Sequence, residues 1–175
     1  MPLDLTRDFI PLNIAIATIS DTRTLEDDIS GNLLVKRVLD AGHSPIDRSI
    51  IKDDIDAIIA WFNAKIDDDD TDIVITTGGT GLTGRDSTPE ALSAVITKEI
   101  PGFGEYFRAI SATKIASSTI QSRAMAGVAN GTYLFCLPGS PGACKDGWDE
   151  ILSHQLDNRF RPCNFVELIP RLNEK

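Results

Sequence analysis

The sequence predicts an α/β fold, with a mostly parallel sheet covered by helices on both faces and one antiparallel hairpin strand. Three observations lead there. Short apolar runs alternate with stretches of helical spacing, the order expected of parallel strands joined by crossover helices. The first run is continuous, as in a strand buried on both faces, rather than alternating in and out. Near the C-terminal third, Asn130-Gly131 lies in a turn between two strands and is the strong signal of a hairpin.

The elements follow in order. Residues 13–19, Asn-Ile-Ala-Ile-Ala-Thr-Ile, form the first strand. A polar stretch from Ser20 to Ser30 comes next, and Ser30 can cap a helix over 32–40. Leu33, Leu34, Val35, Val38 and Leu39 supply its apolar face, and Gly42 ends it. The second strand fits residues 47–51. Either Asp53 or Asp54 can cap the next helix, which presents Ile55, Ile58, Ile59 and Phe62. Residues 72–76 form the third strand and run into a glycine-rich loop. Pro89 suits the first turn of a helix through Ala91, Leu92, Val95 and Ile96, with Ser87 or Thr88 as its cap. Residues 101–126 read as two short helical pieces. The hairpin and the apolar strand 133–137 follow, then a second glycine loop at 138–142 and a helix over 143–156.

Composition sets bounds on function. The 175 residues fit a single domain, 1–175, with its core at about 12–165 and no internal repeat. With 17 basic and 26 acidic residues, the formal net charge is −9, which argues against non-specific nucleic-acid binding. Part of that acidity is Asp67-Asp68-Asp69-Asp70, read as a solvated loop or helix end. Cys136, Cys144 and Cys163 form no Cys-x-x-Cys pair, and Cys136 reads as a buried small hydrophobe. No His/Cys spacing resembles a zinc site. Without a signal pattern or a membrane-length apolar run, the expected location is the cytoplasm, with no membrane partner.

In open α/β sheets, ligands bind outside the C-terminal strand ends. Four loops should reach that edge: the one from Ser20, the one at Asp53, the one at 78–86 and the one at 138–142. The third carries most of the information. It reads Thr76-Thr77-Gly78-Gly79-Thr80-Gly81-Leu82-Thr83-Gly84-Arg85-Asp86. Glycines let a backbone turn sharply and approach a ligand, and their amides suit an anion. The stretch 79–84 formally matches G-x-G-x-x-G, but it follows the third strand, without the acidic strand end of a dinucleotide fold. Gly-Lys-Ser/Thr is absent, so it is not a Walker loop either. Asp86 closes the loop just before a helix, and Asp53 lies just past the second strand. Two carboxylates beside a phosphate loop suggest Mg²⁺ held between protein and substrate phosphates, with helix capping by Asp53 as the rival role. No nucleophile with its base is apparent, so direct phosphoryl or nucleotidyl transfer is the simplest chemistry.

Residues 76–81, Arg85-Asp86 and Thr88-Pro89-Glu90 together resemble the MoaB/Mog family of molybdenum-cofactor biosynthesis proteins. Further agreement lies in Ser20-Asp21, Asp28-x-Ser30-Gly31, Pro101-Gly102-Phe103-Gly104-Glu105, Ser122-Arg123 and Leu137-Pro138-Gly139-Ser140-Pro141. Segments 118–130 and 161–165 look more like the MoaB branch. The resemblance implies a three-layer α/β/α sandwich and a homotrimer, with trimers paired into hexamers in many MoaB-branch proteins. It implies binding of molybdopterin and, in active members, transfer of AMP from ATP with Mg²⁺ to its terminal phosphate. A separate molybdenum-insertion protein acts downstream.

By motif position, Asp53 and Asp86 match the family's two required acids and its metal site. Thr77, Gly78, Gly79, Thr80 and Gly81 would bind substrate on one loop. Pro138, Gly139 and Ser140 would do so on the other, with Ser20, Asp21, Arg85 and Ser122 around them. Arg85 could neutralise developing charge or make a structural ion pair. A non-catalytic molybdopterin-binding or carrier oligomer is the competing function, set apart by binding without pyrophosphate release.

Overall fold

The computed structural model describes residues 3–174. Its sheet has six strands in the order β2-β1-β3-β6-β5-β4. These are β1 (Asn13–Ile19), β2 (Ser44–Ile51), β3 (Ile73–Thr77), β4 (Lys98–Glu99), β5 (Met125–Ala129) and β6 (Thr132–Leu137). Strands β2, β1, β3 and β6 run parallel, and β5 and β4 complete the sheet through antiparallel pairings. Helices α1 (Ile29–Asp40), α4 (Pro101–Ile115) and α5 (Pro141–Gly147) pack on one face; α2 (Ile55–Ile66) and α3 (Thr88–Val95) pack on the other.

Strand alternation divides the core between the two faces. Ile14, Ile16, Ile73, Ile75, Tyr133 and Phe135 meet Leu34, Val38, Phe103, Phe107 and Trp148 on the first. Ala15, Ala17, Val74, Leu134 and Cys136 meet Ile58, Phe62, Ala91 and Leu92 on the second. Both sides of β1, β3 and β6 are therefore buried, which is why these strands read as unbroken apolar runs. Cys136 is fully buried, as expected of a small hydrophobe.

Register places the site. Ile19 pairs with Ile51, Thr18 with Thr77, and Thr77 with Leu137, so four strands end together at one edge. The chain leaves β1 and β6 for helices on the first face, and leaves β3 for a helix on the second. Neighbouring loops thus diverge beside β3 and open crevices around its C-terminal end.

The structure settles some local expectations and changes others. The cap of α1 is Asp28, whose side chain accepts from the Gly31 N–H, because the Ser30 hydroxyl donates instead to the Gly139 carbonyl at 2.8 Å. Asp54, not Asp53, caps α2 by accepting from the Ala57 N–H at 2.9 Å. Residues 101–126 hold one 15-residue helix, a 3₁₀ turn (Ala116–Gln121) and the start of β5, rather than two short helices. The last helix is interrupted by a π-helical turn at Trp148–Leu152 before Ser153–Gln155. At the hairpin, Asn130 (φ 45°) and Gly131 (φ 86°) both adopt the left-handed conformation that a type I′ turn requires.

Candidate active site

The glycine loop leaves β3 in a conformation that needs its glycines. Gly78 has φ 99° and Gly79 φ 64°. A Cβ on Gly78 would overlap the Ile19 carbonyl, and one on Gly79 would overlap the Thr88 hydroxyl. The loop is then tied down locally. The Gly78 N–H donates to the Leu137 carbonyl at 3.0 Å, and the Thr88 hydroxyl donates to the Gly78 carbonyl at 2.9 Å. Thr77 is buried, and its hydroxyl donates to the Pro138 carbonyl at 2.9 Å, joining the two glycine loops. It is a brace for the site rather than part of its exposed wall. Gly139 lies so close that a Cβ there would sit 3.3 Å from Gly78 Cα.

Asp53 and Asp86 stand at this edge in opposite states. The Asp86 carboxylate folds back into its own loop, accepting from the Thr83 N–H at 2.8 Å and its hydroxyl at 2.6 Å. Those Thr83 bonds hold its carboxyl below the usual carboxylate range. Asp53 is freed from capping by Asp54. Its Oδ1 is buried and has no hydrogen-bond partner among the described residues. Burial first, then the negative charges of Asp86 and Asp21, push the Asp53 carboxyl above its ordinary value, against the weaker downward pull of the Ser87 N–H and the Arg85 charge. An unpaired buried oxygen with a second carboxylate nearby is a donor set that fits a divalent cation. Among the described residues no group of three or more His, Cys, Asp or Glu gathers to hold a metal, so such a cation would need oxygen ligands from its substrate as well.

Arg85 is taken up by the ion pair, one of the two roles left open by the sequence. It reaches Asp21 at 2.5 Å and donates to the Asp53 carbonyl at 3.3 Å, while the Asp53 N–H donates to Asp21 at 3.3 Å. The loops after β1, β2 and β3 are thereby linked. Ser20 accepts the Thr22 and Arg23 N–H groups at 3.2 Å, so its hydroxyl organises its own turn.

Two clefts flank the glycine loops. One, of about 400 Å³, is lined by residues 78–81, Asp86, Ser122, Pro138, Gly139 and Ser140, with Phe107 and Ile115 as its apolar wall. The other, of about 200 Å³, lies among Thr18, Ser20, Arg23, Asp28, Gly78 and Gly139. The first gathers most of the expected substrate-binding residues; Ser20 falls in the second. Ser140 also caps α5, accepting from the Ala143 N–H at 3.2 Å. A cavity of about 440 Å³ under Tyr106 and Phe160 holds none of the expected residues.

Two residues here, Asp28 and Arg123, entered the sequence reading only within motifs of the family resemblance, with no role of their own. Asp28 is buried and accepts from the Gly31 N–H, the Thr18 hydroxyl at 2.5 Å and the Arg48 guanidinium. Burial pushes its carboxyl up, but these bonds outweigh burial and leave it low. An Asp just before an apolar helical run is a capping signal that would have marked it. Arg123, just before β5, grips the glycine loop, a contact that the Ser122-Arg123 motif does not announce.

Residues 15–158 match a family model described as "Probable molybdopterin binding domain". The chain is 50% identical over 158 residues to Molybdenum cofactor biosynthesis protein B of Escherichia coli (strain K12), covering 90% of this chain and 93% of that protein. A crystal structure of a Molybdenum cofactor biosynthesis protein B superposes with a TM-score of 0.83 at 42% identity, over 86% of this chain and 94% of the other. The tungsten cofactor synthesizing protein MoaB of Pyrococcus furiosus gives 0.72 at 35% identity, over 82% and 92% of the two chains. Sequence motif, sheet topology and these likenesses agree: the chain belongs to the MoaB/Mog family of molybdenum cofactor biosynthesis proteins.

Proposed function

We propose that the protein binds molybdopterin and transfers AMP from ATP to its terminal phosphate, releasing pyrophosphate. The observation that carries this reading is Asp53. A buried carboxylate oxygen without a partner is costly, about 1–3 kcal/mol for an unmade hydrogen bond alone. A bound cation would offset that cost. Asp53 and Asp86 are the residues that would hold Mg²⁺, which supplies charge neutralisation at the transferred phosphate.

In the reaction, a phosphate oxygen of molybdopterin attacks the α-phosphorus of ATP. A new P–O bond forms as the bond to the β-phosphate's bridging oxygen breaks, and pyrophosphate leaves with that electron pair. No side-chain nucleophile is required, so positioning and electrostatics provide the catalysis. The amides of Gly79 and Thr80, which the loop's own bonding leaves free, bind phosphate oxygens. Ser140 and the backbone of 138–142 bind on the far side of the cleft, with Ser122 at its wall. Arg85 and Asp21 keep the Asp53 loop against the glycine loop. On the same reading the protein is cytoplasmic, works as a homotrimer or hexamer, and passes its product to a molybdenum-insertion protein.

Purified protein incubated with molybdopterin, ATP and Mg²⁺ should release pyrophosphate and form adenylylated molybdopterin. Asp53→Asn and Asp86→Asn should each abolish transfer and keep molybdopterin affinity. Full turnover in both variants overturns the assignment. Molybdopterin binding without pyrophosphate in the wild type selects the carrier function.

A further inference from the structure

Arg123 lies between the 3₁₀ turn and β5, 37 residues after Asp86. Its contacts converge on one segment. Nε donates to the Gly81 carbonyl at 2.7 Å, one terminal nitrogen donates to the Asp86 carbonyl at 2.8 Å, and the other pairs with Glu90 on α3. Its backbone N–H donates to the Thr80 carbonyl at 3.3 Å. A planar guanidinium with several donors in fixed directions can hold two carbonyls and a carboxylate together, which a lysine cannot. Inside the clamp, Asp86 fastens the loop through Thr83. A Cβ on Gly81 would meet the Asp86 carboxylate at 2.7 Å, so the two residues are packed as closely as glycine allows. The side chain of Arg123 is about three-quarters covered, so its two bonds to carbonyls are partly shielded from competing water, while the Glu90 pair is exposed.

We infer that Arg123 is a positioning residue: it holds residues 80–86, and through them the Asp86 carboxylate, in the arrangement that receives a divalent cation. Because Arg123 donates to backbone carbonyls on both sides of the Gly81–Asp86 turn, it sets the shape of the loop and need not touch substrate. The role rests on the cation site proposed above.

The test uses Mn²⁺ as probe, titrated into the intact protein with α,β-methylene-ATP present to supply the substrate's oxygen ligands without transfer, and followed by electron paramagnetic resonance, so the readout does not depend on turnover. Wild type should bind Mn²⁺, and Asp86→Asn should abolish binding. Arg123→Lys, which keeps the charge and loses the fork, should weaken Mn²⁺ at least tenfold and leave molybdopterin affinity within threefold. Glu90→Gln removes one anchor of the guanidinium and should weaken Mn²⁺ about threefold, which covers the case of an unfolded Arg123 variant. Unchanged Mn²⁺ affinity in folded Arg123→Lys, or in Glu90→Gln where that variant alone folds, overturns the positioning role and leaves the cation site standing. No Mn²⁺ binding by wild type overturns the cation site and this role together.

Discussion

Asp53→Asn should leave the protein more stable and without transferase activity. In the metal-free protein, Asp53 holds a buried, unpaired oxygen next to two other carboxylates. An unmade bond to a buried group costs about 1–3 kcal/mol, and a charge adds to that. Asparagine removes the charge and keeps the shape, but still buries an amide atom, so roughly 1 kcal/mol should be recovered. For a chain of this size that is about 2–4 °C in Tm. The sign with pH follows from the raised carboxyl. Protonation favours the folded state, so the wild type is relatively most stable below the ordinary carboxylate value and loses that stability as pH rises through the raised one. The advantage of the variant should therefore be full at pH 7.5 and absent below about pH 4. Calorimetry in chelator at the two pH values measures it, and pyrophosphate release should fall at least ~100-fold, as expected for loss of a group stabilising transition-state charge. A variant less stable than wild type at pH 7.5 in chelator, or one that is fully active, would refute the reasoning.

Other expectations concern the frame around the site. Gly79→Ala places a Cβ against the Thr88 hydroxyl at a positive φ, and should cost about 2–3 kcal/mol in urea unfolding, with a loss of molybdopterin binding. His43 accepts the Leu12 N–H through Nδ1 at 3.1 Å and is buried, which pushes its pKa down to about 4. Its neutral form stabilises the fold above about pH 6.5, and that contribution is lost as pH falls toward 4, at up to about 1.4 kcal/mol per unit. Unfolding of His43→Gln followed from pH 7 to 4.5 should show that slope flattened. Asp28→Ala strands the Arg48 guanidinium and should lower stability by about 3 kcal/mol, whereas a loss under 1 kcal/mol would mean that the pair is mostly solvated.

The parallel strands were legible because burial on both faces writes an unbroken apolar run into the chain, and the hairpin because Asn130-Gly131 names its own turn. Helix α4 was not legible as one piece. Gly104 sits within it because a Cβ there would overlap the Ala124 carbonyl, so a tertiary approach, not a helix break, explains that glycine. Strand β4 has two residues and exists through its pairing with β5. Ser30 looked like a cap and was drawn away by the Gly139 carbonyl, a partner 109 residues distant. At the site, Asp53 and Asp86 were readable from their places after strands and beside glycines. Asp54 settled the capping question that local sequence left open. Arg123 stood in a recognised motif, but its role was hidden because its side-chain partners lie 33–42 residues away and two of them are backbone carbonyls, which have no residue identity to read.

The reversed strand gives the hairpin a reach beyond its own turn. Because β5 runs against β3 and β6, its beginning, and not its end, lies at the edge where the other strands finish. Arg123 therefore arrives at the glycine loop from the opposite direction, about 20 Å of extended chain from the turn that sets its pairing. A one-residue slip at Asn130-Gly131 would move every β5 side chain to the other face of the sheet and swing the guanidinium off the loop. A two-residue turn on the bottom of the molecule is thus a remote control on the geometry at the top, and insertions there should damage the site without touching any residue that lines it.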